Sequence, residues 1–282
     1  MNFGKDVTIA PTAKINVKEG RIGEDTKIGE HVRIDADFLE LGERSILRPY
    51  SHIEGKHIEI GNEFYMDERA LIGGGSAFDP DAYLKAGDFL HMGKNSELNI
   101  ARGITAGHEL GAGIQTKIFT HGAYQSAWDG FPSQWESVKI GDRVWLPNAW
   151  VNPGVTIGDN VVVAAGSVVN KNLPNGCLAG GVPVKVIKEN VYPRKLTEEE
   201  EDKLFDYIRS QAERITLVKG LGPIKAKKEV KGSYRINNVL FDVQERVIDG
   251  YADEISEVMK NQLRRNGIRF RYKLENNKYV PW

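Results

Sequence analysis

Six histidines are the side chains of this sequence best suited to proton transfer near neutral pH. Two of them stand in segments rich in small residues: His121 in THGAY, and His108 in AGHELGAG, where Glu109 follows it. A neutral imidazole can take a proton from a hydroxyl or an ammonium group, and a neighbouring carboxylate can orient its ring. The sequence therefore offers two candidates for a general base, which we expect to stack near the same edge of a repeating fold.

Metal and thiol chemistry have weaker support. His52 and His57 have a spacing that some metal sites use, but zinc needs three or four convergent ligands and no third histidine falls where such a site needs one. The single Cys177 cannot form an internal disulfide, which is typical of a reducing compartment. We predict no metal site, a cysteine that serves packing, and a cytoplasmic location.

A six-residue repeat, running from about Val7 to Lys188, must position these side chains. Between Ile140 and Pro174 an aliphatic residue leads each short segment and a small residue usually follows. A short fixed period is typical of a stacked solenoid, whose coils bury apolar residues only against their neighbours. A sandwich of alternating strands, the alternative, would not keep a six-residue step. The residues expected to fill the axis are Ile140, Leu146, Val151, Ile157, Val163 and Val169.

Three interruptions divide the chain. Residues 77–89 contain Pro80 and are predicted to form a loop, and residues 122–137 are predicted to form a second one. The second loop carries Tyr124 and Trp128, whose rings can stack on a sugar or cover a cofactor, or can fix the loop to the solenoid or to a neighbouring subunit. The third interruption is the end of the repeat near residue 190.

The predicted organisation has three parts. Residues 1–190 form the solenoid, residues 191–216 form a linker and a helix that starts near Thr197, and residues 217–282 form a small α+β appendage. From Leu217 onward there are 14 Lys and Arg against 8 Asp and Glu. Such an excess can attract a phosphate-bearing acceptor, but it is more often a solvated face.

Composition narrows the class of protein. With 282 residues, 40% hydrophobic content and a formal charge of -1, the chain can bury a large core and has no global attraction for nucleic acid or an anionic membrane. Neither a nucleic-acid motif nor an apolar run of membrane-spanning length accompanies the local charge. We therefore expect a small-molecule partner, with no nucleic acid and no membrane.

The segment 138–189, VKIGDRVWLPNAWVNPGVTIGDNVVVAAGSVVNKNLPNGCLAGGVPVKVIKE, resembles the C-terminal signature of hexapeptide-repeat acyltransferases, in particular the xenobiotic and sugar O-acetyltransferase branch. The repeat portion of the chain is covered, and the appendage is not. The resemblance implies a mainly β fold, a left-handed parallel β-helix, and a homotrimer with active sites in the clefts between subunits. It also implies acetyl-CoA as the donor. The handedness rests on the resemblance alone, because parallel crossovers are otherwise right-handed.

The resemblance also assigns roles to individual residues. His121 matches the general base at the end of a coil. From their own sequence context, and not from the resemblance, His108 is the second choice for the base and a candidate acceptor contact, together with Tyr124 and Trp128. The positions that match the binding site of the donor are Trp145, Asn148, Ala165, Gly166, Asn170, Lys171, Lys185 and Lys188. One departure from the family pattern is a coil that is one residue short around Ala149 and Trp150, which would alter the wall of the donor tunnel.

These assignments predict an acyl-CoA-dependent transferase, with acetyl as the default acyl group. The acceptor is expected to be a hydroxyl or an amine of a sugar, an amino sugar or a nucleotide-linked sugar. Two other classes stay open from the sequence: a non-catalytic solenoid that binds a partner or acts as a scaffold, and a zinc lyase of the carbonic anhydrase type.

Overall fold

The computed structural model describes residues 1–281, and the chain forms two compact units that divide after Pro193. In the first unit, parallel strands of successive coils pair to give a prism with three faces. The leading residues named from the repeat are all at most 5% exposed and fill its axis. The predicted mainly β architecture, a parallel β-helix followed by a small α+β unit, is confirmed.

The strands lie on three faces, each contributing about one strand to a coil. The first face holds Asn2–Phe3, Tyr83–Ala86, Ile104–Ala106, Val138–Ile140 and Thr156–Ile157. The second face holds Thr8–Ile9, Lys27–Ile28, Ile46–Leu47, Tyr65–Met66, His91–Met92, Gly111–Ala112, Trp145–Leu146, Val162–Val163, Leu178–Gly180 and the antiparallel Lys185–Lys188. The third face holds Leu71–Gly73, Glu97–Asn99, Lys117–Ile118, Trp150–Val151 and Val168–Val169. Three long strands bend across the third and first faces: Lys14–Ile22, Arg33–Leu41 and His52–Ile60.

The loop predicted over 77–89 is shorter than expected. Tyr83–Ala86 is a strand of the first face, and Leu84 is fully buried in the axis. The excursion therefore occupies residues 74–82, and the repeat resumes directly after Ala82. The loop predicted over 122–137 agrees with the structure, where it contains a short 3-10 helix at Ala127–Asp129 and the strand Gln134–Trp135.

Glycines occupy the corner between the first and second faces in successive coils, because a side chain there would overlap the next coil. A Cβ atom on Gly42 would lie 2.4 Å from the carbonyl carbon of Gly61 and 2.5 Å from the backbone nitrogen of Asn62. The equivalent glycines are Gly4, Gly23, Gly61, Gly87, Gly107, Gly141 and Gly158. At this corner, the small residue that follows the leading aliphatic residue thus has a steric cause.

Replacing Gly42 with alanine is expected to destabilise the first unit by about 1–3 kcal/mol, because backbone cannot move aside as a flexible side chain can. Thermal or denaturant unfolding measures the change. Gly122→Ala is the matched control, since a Cβ atom on Gly122 meets nothing within 4 Å. Equal stability of the Gly42→Ala variant and the unmodified protein would contradict this account of the corner.

The second unit begins at Arg194 and packs two helices on a six-stranded antiparallel sheet. The helices are Glu198–Val218 and Glu254–Arg265. The strands are Ala226–Val230, Ser233–Ile236, Val239–Asp242, Val247–Tyr251, Tyr272–Glu275 and Lys278–Pro281. Thr197 caps the first helix in a capping box with Glu200, at the predicted start.

The predicted helix of the segment 191–216 belongs to the second unit, which therefore begins before the expected boundary at residue 217. Its buried face packs into the same core as the sheet, because Phe205, Ile208 and Ala212 cluster with Ile236 and Met259. No helix within residues 1–281 combines the length and the apolar character needed to span a membrane.

Candidate active site

His121 lies at the corner where the third face turns into the first, just after the strand Lys117–Ile118. Its own two-residue strand, His121–Gly122, pairs antiparallel with Gln134–Trp135 across the long loop. The excursion 74–82 leaves the prism at the same corner, between the third-face strand Leu71–Gly73 and the first-face strand Tyr83–Ala86. This corner therefore carries both long excursions of the first unit.

Asn99 fixes the orientation of the His121 imidazole. Its amide Oδ1 lies 2.8 Å from His121 Nδ1, and the Asn99 side chain is only 4% exposed. An amide oxygen only accepts hydrogen bonds, so Nδ1 carries the proton in this pair. The neutral ring then holds its lone pair on Nε2, which is the form that a general base requires.

Trp135 covers one side of the His121 ring. The two rings stack with centroids 4.6 Å apart and an angle of 18° between their planes. The guanidinium carbon of Arg102 lies 4.8 Å from the centroid of Trp135, and Arg102 Nη1 lies 3.3 Å from Asp79 Oδ2. The two excursions are thus linked through Arg102, which contacts Trp135 of one and Asp79 of the other.

The Nε2 side of His121 faces open space beside Gly75. A Cβ atom built on Gly75 would lie 3.8 Å from Nε2 and 3.9 Å from Cε1, and it would meet no other residue within 4 Å. Unfilled space of about the size of a methyl group therefore adjoins Nε2. This corner therefore holds an oriented imidazole whose Nε2 can take a proton from an acceptor, as general-base catalysis requires.

His108 lies at a different corner, between the first and second faces, and does not join His121. Its Nδ1 accepts a hydrogen bond from the backbone N–H of Asp88 at 3.0 Å. Asn62 and Asp142 fill the same structural position in other coils, where their Oδ1 atoms accept from the N–H groups of Glu43 and His108. His108 is thus one member of a structural ladder, and the expected shared edge with His121 is wrong.

The spacing explains the error. Residues that stack in neighbouring coils are 19 positions apart near the N-terminus, as for Ile15 and Ile34, and 17 apart for Ile140 and Ile157. The thirteen residues between His108 and His121 therefore span two faces of one coil rather than two coils.

The residues predicted to bind the donor lie on two edges of the third face and on the second face. Asn170 and Lys171 directly follow Val169 and share the corner of His121, whereas Asn148 stacks against Gly166 at the opposite edge, where Gly166 N donates to Asn148 O at 2.8 Å. Ala165 precedes Gly166 at that opposite edge. Trp145, Lys185 and Lys188 lie on the second face. One chain therefore does not bring all of these residues together with His121.

The shortened coil predicted near Trp150 is present. Three residues, 147–149, separate Leu146 from Trp150, whereas four residues, 164–167, separate Val163 from Val168. Register is kept, because Trp150 still pairs with Val168. The Trp150 ring remains 52% exposed on the third face, in edge contact with Phe119 at 5.6 Å.

Tyr124 and Trp128, the predicted acceptor contacts, lie in the long loop and are 96% and 98% exposed. They therefore do not fix the loop to their own prism. Trp135 does have a structural role in the loop, through its stacking on His121. Two large exposed rings remain available to a bound molecule or to another surface.

The other reactive side chains are dispersed. His52 begins the bent strand His52–Ile60 on the third face, and His57 lies in the part of that strand on the first face. Within residues 1–281 no group of three or more His, Cys, Asp or Glu side chains is placed to hold a metal ion. Cys177 is fully buried, and burial raises the pKa of its thiol, which disfavours the reactive thiolate.

Asn99, Arg102 and Gly75 were not identified from the sequence. A signal for Asn99 does exist, because an asparagine directly follows the leading residue at this corner in three coils, at Asn99, Asn152 and Asn170. The pairing of Asn99 with His121, 22 positions later, depends on the three-dimensional stacking of coils. No local pattern marks Arg102 or Gly75.

Comparison with known proteins adds to this geometry. Residues 137–171 match the family model described as bacterial transferase hexapeptide (six repeats). The galactoside O-acetyltransferase of Escherichia coli strain K12 is 26% identical over 155 residues, which cover 52% of this chain and 76% of that protein. The bifunctional protein GlmU of Acinetobacter baylyi is 29% identical over 197 residues, which cover 62% of this chain and 42% of GlmU.

Among solved structures, a hexapeptide-repeat acetyltransferase of Vibrio cholerae in complex with acetyl coenzyme A is 26% identical, with a TM-score of 0.35. That match covers 53% of this chain and 69% of the other. The segment that matches the family model contains six of the residues predicted to contact the donor, from Trp145 to Lys171, and it does not include His121.

Proposed function

We propose that this chain, which resembles the hexapeptide-repeat, left-handed β-helix acetyltransferases, transfers an acetyl group from acetyl-CoA to a sugar-type acceptor. The acceptor group is a hydroxyl or an amine of a sugar, an amino sugar or a nucleotide-linked sugar, and His121 is the general base. The observation that carries the proposal is the hydrogen bond from His121 Nδ1 to Asn99 Oδ1, which leaves the Nε2 lone pair facing open space.

The proposed step needs one base and one activated acyl group. His121 Nε2 takes the acceptor proton while the acceptor atom attacks the thioester carbonyl carbon. The tetrahedral intermediate then expels the sulfur of CoA, which receives the proton from the imidazolium and leaves as the free thiol. Backbone N–H groups beside the corner stabilise the oxyanion, as acyl transfer generally requires.

The donor positions support a site completed by a second copy of the chain. Asn148 and Gly166 lie at one edge of the third face and His121 at the other, so one chain alone separates them. In a homotrimer, one edge of each prism adjoins the opposite edge of a neighbour, which would close a cleft around the pantetheine arm. The exposed rings of Tyr124 and Trp128 would then contact the acceptor at that cleft.

A sugar acceptor agrees with the relative named galactoside O-acetyltransferase. The test is release of CoA thiol from acetyl-CoA with a panel of sugars, amino sugars and nucleotide-linked sugars, combined with acetyl-CoA binding by calorimetry and mass determination in solution. We expect binding, turnover of at least one acceptor and a trimer. Absence of both binding and turnover would instead support a scaffold role.

A further inference from the structure

The second unit contains a cavity of about 520 Å³, which lies between its first helix, the end of its second helix and two turns of its sheet. That volume is within the range of small-molecule sites in proteins. All of the lining residues lie between Arg194 and Ile268, so the second unit forms the cavity from its own residues. The cavity therefore shares no residue with the candidate active site.

The floor of this cavity is apolar and belongs to the core of the second unit. Phe205, Ile208 and Leu263 line it and are at most 4% exposed. The Phe205 ring also stacks on Tyr234, with centroids 3.5 Å apart, which holds the ring in place. Leu204 lines the cavity as well and is 40% exposed, so the apolar surface continues to the open side, here called the mouth. Such a surface favours the apolar part of a ligand.

The turns that line the cavity are held by hydrogen bonds of the backbone. The N–H of Val243 donates to Gly232 O at 2.9 Å, which joins two neighbouring turns of the sheet. The N–H of Ile268 donates to Leu263 O at 3.0 Å, which fixes the chain where it leaves the second helix. The cavity is therefore preformed, and a ligand need not order its walls on binding.

Four basic side chains from three separate segments line the same cavity, and all four are exposed, so their charges lie at the mouth. They are Arg194, Lys195, Lys231 and Arg246. Within residues 1–281, Glu201 is the one carboxylate that lines the cavity, and it accepts from Gln244 Nε2 at 3.0 Å and lies 4.0 Å from Lys231 Nζ. Arg194 also pairs with Glu200, which does not line the cavity. Positive charge therefore exceeds negative charge at the mouth.

We propose that this cavity binds a small amphipathic anion, with its apolar body on the floor and its carboxylate or phosphate group among the basic side chains at the mouth. The proposal goes beyond acetyl transfer and does not depend on it. A neutral apolar ligand would leave the basic groups unused, and inorganic phosphate would leave the apolar floor in water. Lys231 and Arg246 belong to the basic excess found from Leu217 onward, which the proposed acetyl transfer does not explain.

The ligand class is tested by calorimetry of the full chain with octanoate, octyl phosphate and 1-octanol, which share an apolar body and differ in the head group. We expect at least one of the two anions to bind saturably at one site per chain, and 1-octanol to bind about tenfold more weakly, because it lacks the charge-assisted hydrogen bonds. The anion that binds more tightly identifies the head group as carboxylate or phosphate. Equal affinity for 1-octanol, or no saturable binding of either anion, would overturn the proposal.

The basic side chains are tested by combining Lys195→Gln with Lys231→Gln. We expect octanoate and octyl phosphate to bind about tenfold more weakly to this variant, and 1-octanol to bind as before. Lys225→Gln combined with Lys227→Gln is the matched control, because it removes the same charge from the same unit and neither residue lines the cavity. An equal loss in both variants would indicate a long-range effect of net charge and would overturn the proposed site.

The apolar floor is tested with Leu204→Gln, and Leu217→Gln is the control. Leu217 is 56% exposed on the same helix and does not line the cavity. We expect Leu204→Gln to weaken binding of all three probes about fivefold, because apolar contact area is lost, with the unfolding temperature retained. If no probe binds and Leu204→Gln instead lowers the mass of the protein in solution, a second copy of the chain covers this surface and the proposal is overturned.

Discussion

Replacing His121 with alanine is expected to lower kcat for acetyl transfer by roughly 10²- to 10⁴-fold, the usual contribution of a positioned general base. The acceptor would still reach the corner, but its proton would have only water to accept it. Because six of the eight predicted donor positions lie on the second face or at the opposite edge of the third face, affinity for acetyl-CoA should be retained. Thiol release under saturating donor measures the rate, and calorimetry measures donor binding.

The control for this variant is His108→Asn. His108 Nδ1 accepts from the N–H of Asp88, and an asparagine oxygen performs the same task at Asn62, two coils earlier at the same corner. We therefore expect His108→Asn to keep both activity and stability. A large loss in His108→Asn together with full activity in His121→Ala would exchange the two assignments and refute the account given above.

The repeat made the axis of the prism predictable, and it did so for a physical reason. A coil buries one aliphatic residue per face, so Leu98 or Val151 can be placed in the core from a six-residue step alone. The six-residue period does not indicate at which of the three corners of the prism a given residue lies. His108 was assigned to the wrong edge because thirteen positions were taken as about two coils, whereas one coil takes 17 to 19 residues.

The site itself depends on contacts between coils and between excursions, which a periodic pattern does not encode. His121 was identified from its place before a long loop, but its partner Asn99 belongs to the previous coil, and Trp135 returns to it from the far end of the loop. The second unit illustrates the same limit. The start of the second unit was placed too late, at residue 217. Only packing shows that Phe205 and Ile208 of the first helix belong to the core of the sheet.

Asn99→Leu is expected to lower kcat/KM for the acceptor by roughly 100-fold, because leucine keeps the branching at Cγ but offers His121 Nδ1 no acceptor. The ring then loses the hydrogen bond that selects the tautomer with a basic Nε2. Asn99 acts through His121 in this respect and is a positioning residue. Steady-state kinetics on the best acceptor measure the effect, with acetyl-CoA affinity expected to remain unchanged.

Asn99→Asp separates the positioning role of this side chain from a purely structural one. A carboxylate oxygen still accepts from His121 Nδ1, so kcat/KM should recover toward that of the unmodified protein. A purely structural role for Asn99 would instead lower stability in both variants and give no such recovery. Loss of kcat/KM in Asn99→Leu together with its recovery in Asn99→Asp would show that the oxygen beside His121 Nδ1 orients the base.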